Sequence, residues 1–219
     1  MVKTTRLKWL TVGAACVALV AACSAPQSSS VGDPVESPTG QQTPTSTAVP
    51  SGADKATASQ IKAANLEPCP SSDKSTQPAS RGLPDITLPC LGEGPEVDLA
   101  GVRGRPMVVN VWASWCGPCR AELPILGQMS ERTKGKLDFL GINVSDTRKA
   151  ALEMAGTYKM RFPSVFDPAF ETRPGLRVSG VPLTLFVRAD GSIAYRHDGP
   201  ITSEEQLKQL VHTSLGVEL

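Results

Sequence analysis

Cys116 and Cys119 stand three positions apart in the run Trp112-Ala113-Ser114-Trp115-Cys116-Gly117-Pro118-Cys119-Arg120-Ala121-Glu122-Leu123-Pro124. Two thiols at that spacing can carry out thiol–disulfide exchange. Where an apolar strand turns into a helix, the first thiol falls at the helix N-terminus and the second one turn further in. Unpaired backbone N–H groups and the helix dipole stabilise a thiolate there, which lowers a cysteine pKa from about 8.5 towards 7 or below. Cys116 is therefore the predicted nucleophile, attacking a partner disulfide to form a mixed disulfide. Cys119, the less exposed thiol, then attacks Cys116 and releases the reduced partner. Two other uses of such a pair fit less well. Half a zinc site needs two more ligands, and His197, His212, Cys69 and Cys90 contain no second close pair. A purely structural bridge over so short a loop constrains the unfolded chain little and gives no role to the flanking Trp115 and Pro118. The expected redox group is the dithiol itself, with no metal and no other cofactor.

The elements that must position this pair can be read from periodicity. Met107 to Trp112 is a continuous apolar run interrupted only by Asn110, as expected of a central strand buried on both faces. Gly117 to about Lys134 has helical spacing with Pro124 inside it, where a kink is expected because proline lacks the backbone donor. Leu137 to Val144 reads as a second central strand and Thr147 to Met160 as a helix, and strand-helix-strand favours a right-handed parallel crossover. Leu183 to Val187 and Ser192 to His197 flank the turn Arg188-Ala189-Asp190-Gly191 and form an antiparallel hairpin. Leu83 to Leu88 and Glu96 to Leu99 are weak leading strands. A terminal helix from about Ser203 to Leu215 opens on Ser203 as N-cap with Gln206 three residues on. The expected fold class is α/β, a central mixed β-sheet flanked by helices.

Composition places this unit at one end of the chain. The 219 residues are 40% hydrophobic and 20% charged, enough for one modest core, while Pro, Ser and Thr concentrate before residue 82. Lys3, Arg6 and Lys8 precede an uncharged stretch from Trp9 to Ala22 that suits a signal h-region and is short for a membrane span. Its end, Leu19-Val20-Ala21-Ala22-Cys23, resembles a bacterial lipobox, in which Cys23 becomes the lipidated first residue; the alternative is ordinary secretion with cleavage near an Ala-x-Ala-like site. Cys16 lies inside the h-region and is expected to leave with it. Removing residues 1–22 turns a net charge of +1 into −2, so neither form advertises a nucleic-acid partner. Residues 24–59 hold hardly a large apolar side chain and read as a tether. Ala53 to Leu66 allows a short helix. The expected organisation is a lipoprotein signal peptide over 1–22, a lipid-anchored linker and extension over 23–82, and the folded domain over 83–219. Cys69 and Cys90 flank the polar connector to that domain. In an exported chain they are expected to form a structural disulfide, with a second redox pair as the rival reading.

The WCGPC motif after an apolar strand, followed by Gly180-Val181-Pro182-Leu183-Thr184, resembles the thioredoxin superfamily. The longer run Val109-Asn110-Val111-Trp112-Ala113-Ser114-Trp115-Cys116-Gly117-Pro118-Cys119-Arg120-Ala121-Glu122-Leu123-Pro124 is similar to the TlpA/ResA-like group of membrane-tethered extracytoplasmic thiol-disulfide oxidoreductases. The stretches around Cys69 and Cys90 look like the version found in actinobacterial lipoproteins, some linked to cytochrome c maturation. The resemblance implies a thioredoxin-like fold with an N-terminal extension. It also implies a cis-proline at Pro182, facing the dithiol and leaving the Val181 backbone to pair with a substrate strand, although taken alone the tripeptide could be a plain trans turn. Glu122 matches a carboxylate that the group places near the thiols as a proton carrier for Cys119; the alternative is an exposed helix glutamate. Asn110 stands where cytosolic thioredoxins carry a buried aspartate. Motif position assigns Trp115 to shielding Cys116 and meeting substrates, and Trp112 to the core. The expected activity is that of a disulfide reductase for exported proteins, apocytochrome c among them, on the extracytoplasmic face of the bacterial cell membrane. It would work as a monomer, recharged by a membrane electron donor of the CcdA/DsbD type. A disulfide oxidase and a non-enzymatic binding lipoprotein are the alternatives, and only Gly117-Pro118, the dipeptide of reducing thioredoxins, favours the first.

Overall fold

A computed structural model describes residues 56–219. The expected signal peptide with Cys16, the expected lipidation site Cys23 and most of the expected tether lie outside the described residues. Five strands form one mixed sheet in the order β5-β4-β3-β6-β7. They are β3 (Met107–Trp112), β4 (Asp138–Val144), β5 (Ser164–Asp167), β6 (Leu183–Val187) and β7 (Ile193–Asp198). β3, β4 and β5 run parallel, while β6 pairs antiparallel with both β3 and β7. A separate antiparallel pair, β1 (Thr87–Leu88) with β2 (Val97–Asp98), precedes the sheet in sequence. The helices are α1 (Ala58–Ala64), α2 (Gly117–Arg132), α3 (Arg148–Thr157), α4 (Thr172–Leu176) and α5 (Glu204–Leu215).

Alternation along β3 divides the core. Val108 and Trp112 belong to a cluster with Leu123 and Leu126 of α2, Leu152 of α3, Leu207 of α5 and Ala64 of α1. Met107, Val109 and Val111 belong to a second cluster with Leu88 and Val97 of the β1–β2 pair and Leu176 of α4. β3 is buried along its whole length because both faces are covered, which is why it carries no alternating polar pattern. The helices α2 and α3 that join the parallel strands contribute to the same cluster, as two successive crossovers of one hand require.

The expected central strands and the β6–β7 hairpin are present, and the expected leading strands contract to two residues each. β5 and α4 were not predicted. The opening of α5 differs in detail from a reciprocal capping box. Ser203 Oγ accepts from the Gln206 N–H at 3.1 Å, but the Gln206 side chain accepts from Thr202 N–H and Oγ1 instead of the Ser203 backbone. α1 carries the full box, with Thr57 and Gln60 each capping the other's backbone N–H. Packing of the extension begins there: Ala64 and Cys69 are buried, and the Glu67 N–H donates to the Arg161 carbonyl at 2.6 Å.

Candidate active site

The C-terminal end of β3 delivers the chain into the turn Ala113–Cys116, closed by the Cys116 N–H donating to the Ala113 carbonyl at 3.1 Å. Cys116 is the N-cap of α2, with extended backbone, and its Sγ accepts from the Cys119 N–H at 3.1 Å. The sulfur thus occupies the place that a Ser or Asp oxygen takes at other helix starts. Gly117 and Pro118 form the first turn, where a proline costs nothing because the first helical N–H groups have no intrahelical acceptor. Cys116 and Cys119 are joined as a disulfide. Cys119 is fully buried and Cys116 is 3% exposed, so both sulfurs are sheltered, Cys116 the less. α2 continues through Pro124 as one element.

Glu122 is one turn beyond Cys119, so the two side chains share a helix face. The carboxyl is completely buried, which removes the exposed-glutamate alternative. Its Oε1 accepts from Asn110 Nδ2 at 2.8 Å and its Oε2 from the Ile201 N–H at 2.9 Å. Burial pushes the pKa up to about 7, against the lowering effect of those two hydrogen bonds. Asn110 also donates to Thr184 Oγ1 at 3.2 Å, while its Oδ1 has no hydrogen-bond partner. The amide therefore spans from the carboxyl on α2 to β6, two residues after Pro182. The Val181–Pro182 peptide is cis, as the resemblance implies.

Trp115 is 58% exposed, with its indole N–H donating to the Ser145 carbonyl at 2.9 Å. Trp112 is buried and donates to Ser164 Oγ at 3.2 Å. Cys69 and Cys90 are joined as a second disulfide, both buried. It ties the extension to the segment 89–91, which lies along the edge of β5: the Phe166 N–H donates to the Pro89 carbonyl and the Leu91 N–H to the Ser164 carbonyl, both at 2.8 Å. No group of three or more His, Cys, Asp and Glu suited to a metal ion occurs among the described residues, and none of their helices is long and apolar enough to cross a membrane.

Ile201, Asp146 and Ser145 are parts of the site that motif reasoning does not reach. They lie outside the CXXC run and enter by tertiary approach, so only a contact map could have found them. Thr184 stands in the Gly180–Thr184 motif without a role assigned to it.

A family model described as Redoxin matches residues 78–211. The chain is 34% identical over 134 residues to the thiol:disulfide interchange protein CycY of Rhizobium leguminosarum bv. viciae, covering 59% of this chain and 68% of that one. It is 36% identical over 115 residues to the thiol:disulfide interchange protein DsbE of Escherichia coli (strain K12), covering 49% of this chain and 59% of that one. Among solved structures, a secreted Mycobacterium tuberculosis disulfide oxidoreductase homologous to E. coli DsbE superposes with a TM-score of 0.52 at 26% identity, covering 59% of this chain and 96% of that one.

Proposed function

The chain belongs to the Redoxin family, its relatives are thiol-disulfide oxidoreductases, and from that premise we propose that it is a membrane-anchored extracytoplasmic enzyme of this activity, acting as a disulfide reductase on exported proteins. Apocytochrome c, whose haem-binding cysteines must be reduced, is the substrate we assign to it. The carrying observation is the Cys116 sulfur at the N-cap of α2, facing the Cys119 N–H. In the reduced enzyme that donor and the helix dipole favour the Cys116 thiolate. The thiolate attacks one sulfur of the partner disulfide, a bond forms from Cys116 Sγ to that sulfur, and the other partner sulfur leaves as a thiolate. Cys119 then loses its proton and attacks Cys116 Sγ, releasing the second partner thiolate and leaving the enzyme disulfide. Two electrons pass from the dithiol to the substrate, and a membrane dithiol donor of the CcdA/DsbD type returns them.

Glu122 is the proton acceptor for Cys119. It shares the buried helix face with that thiol, and a pKa of about 7 suits a group that must take and return a proton near neutrality. Trp115, exposed beside Cys116, and the Val181 backbone before the cis-proline are the substrate contacts. Lipidation at Cys23 provides the anchor and the residues between it and α1 the reach.

Cys119→Ser tests the mechanism, since it blocks resolution and should hold a covalent partner on Cys116. Non-reducing pull-downs are expected to recover mixed disulfides with exported thiol proteins, and recovery of none overturns the assignment. Thiol trapping in cells sets the direction: mostly reduced Cys116 and Cys119 support the reductase, and a mostly disulfide-bonded pair overturns it in favour of an oxidase.

A further inference from the structure

Asp146 lies in the loop between β4 and α3, and its carboxylate gathers four donors. Ser114 provides two, its N–H at 2.6 Å to Oδ2 and its Oγ at 2.7 Å to Oδ1. Asn143 Nδ2 donates at 3.0 Å and the Thr147 N–H at 2.9 Å. Ser114 is two residues before Cys116, inside the turn that converts β3 into α2. The same turn is gripped elsewhere. The Trp115 indole donates to the Ser145 carbonyl at 2.9 Å, and Arg120 Nη2 donates back from α2 to the Ser114 carbonyl at 3.0 Å.

The bracket is itself held rigidly. Asn143 is fully buried on β4, paired in register with Trp112 at the end of β3. Ser145 has φ 48°, the left-handed region that a serine seldom adopts, and its N–H is held by the Asp167 carbonyl at 3.2 Å. Ser145 thus turns the chain between Asn143 on β4 and the Asp146–Ser114 contact. A carboxylate accepting short charge-assisted bonds makes a stronger tie than neutral partners would. Displacing a reacting atom by about 1 Å is enough to cost roughly a hundredfold in rate.

We propose that Asp146 is a positioning residue for the thiol exchange: by holding Ser114 against the β4–α3 loop, it fixes the turn that presents the Cys116 sulfur to a substrate disulfide. The inference rests on Cys116 being the attacking sulfur. It adds a residue that touches neither the thiols nor the substrate and acts through Ser114.

The test is the rate of exchange between the reduced protein and a small aromatic disulfide, together with the exchange equilibrium against glutathione. Both are measured on variants shown to be folded by circular dichroism. Asp146→Ala is expected to slow exchange about tenfold and to move the equilibrium constant at least threefold. Asp146→Asn, which keeps one oxygen for the Ser114 N–H, should recover most of the rate. Ser114→Ala, which removes only the hydroxyl bond and remains available where Asp146→Ala fails to fold, should slow exchange about threefold. Ser114→Ala combined with Asp146→Ala should fall no further than Asp146→Ala alone. Exchange and equilibrium within twofold of the unaltered protein in the single variants, or multiplicative effects in the double variant, overturn the inference. Absence of Cys116-dependent exchange in the unaltered protein would instead overturn the functional assignment on which it rests.

Discussion

The two disulfides among the described residues sit in opposite electrostatic surroundings. At the head of α2, the Cys116 sulfur faces a backbone N–H at 3.1 Å. At the edge of β5, the Cys69 sulfur lies 3.3 Å from the Ser164 carbonyl oxygen and the Cys90 sulfur 2.9 Å from the Glu93 carbonyl oxygen. A thiolate is stabilised by the first neighbourhood and repelled by the second, whose carbonyls suit a neutral thiol as donor. Loop length separates them too. Cys116 and Cys119 are 3 residues apart and Cys69 and Cys90 are 21 apart, so by chain entropy the longer bridge stabilises the fold by about 1.5 kcal/mol more. One bridge is surrounded for reactivity and the other for constraint.

The contrast breaks if removing the constraining bridge disables the chemistry. Cys69→Ala with Cys90→Ala should cost about 3 kcal/mol of stability, read as a lower urea midpoint and faster proteolysis of the extension before Cys69. If this bridge only constrains the fold, exchange by Cys116 at 25 °C should persist in this variant. Loss of exchange in parallel with an intact fold would make Cys69–Cys90 a second redox pair.

A pH effect should belong to the active-site region. Burial raises the Glu122 pKa from 4.5 to about 7. Between those values the unfolded carboxyl has lost its proton while the native one keeps it, so the native state binds more protons and stability falls as pH rises through the window. Below about 4.5 the contribution is fully present, and above about 7 it is gone. The full change is at most on the order of 3 kcal/mol. Glu122→Gln should flatten this slope in urea titrations between pH 4.5 and 7. The new amide can donate to Asn110 Oδ1 after a side-chain flip while Ile201 keeps its acceptor, and the Thr184 hydroxyl, which accepts from Asn110 Nδ2 before the flip, can then donate to the same oxygen. The substitution should also remove the matching limb from the pH profile of exchange. A slope unchanged in the variant would place the titration elsewhere.

Contacts between sequence neighbours are legible in the sequence, and contacts made by tertiary approach are not. The central strands and the Cys116 N-cap are local matters: an apolar run of β-branched residues, then Gly-Pro at a helix start, and they appear where periodicity places them. α4 was missed because Thr172–Leu176 contains both Pro174 and Gly175, against helix propensity, and its place depends on Asp167 accepting from Thr172. β5 was missed because four residues at Ser164–Asp167 give no usable period, and pairing with β4 decides them. Glu122 could be read as exposed or buried, because its partners stand at positions 110 and 201. The Asp146–Ser114 tie spans 32 residues between a strand end and a loop, and no spacing rule announces it.

The sharpest form of the comparison is also its smallest effect. With all four of these cysteines reduced and the protein still folded, the backbone groups around each sulfur should govern the rate of thiolate chemistry. Cys116 should be alkylated by iodoacetamide at pH 7 at least tenfold faster than Cys69 or Cys90, counted by mass spectrometry of quenched time points. Burial alone does not predict the difference, since Cys116 is 3% exposed and Cys69 and Cys90 are 5% and 8% exposed. If accessibility governed, the order would run the other way. A faster Cys90 would mean that surface access, not the N–H facing Cys116 against the carbonyls facing the other pair, determines which sulfur of this chain reacts.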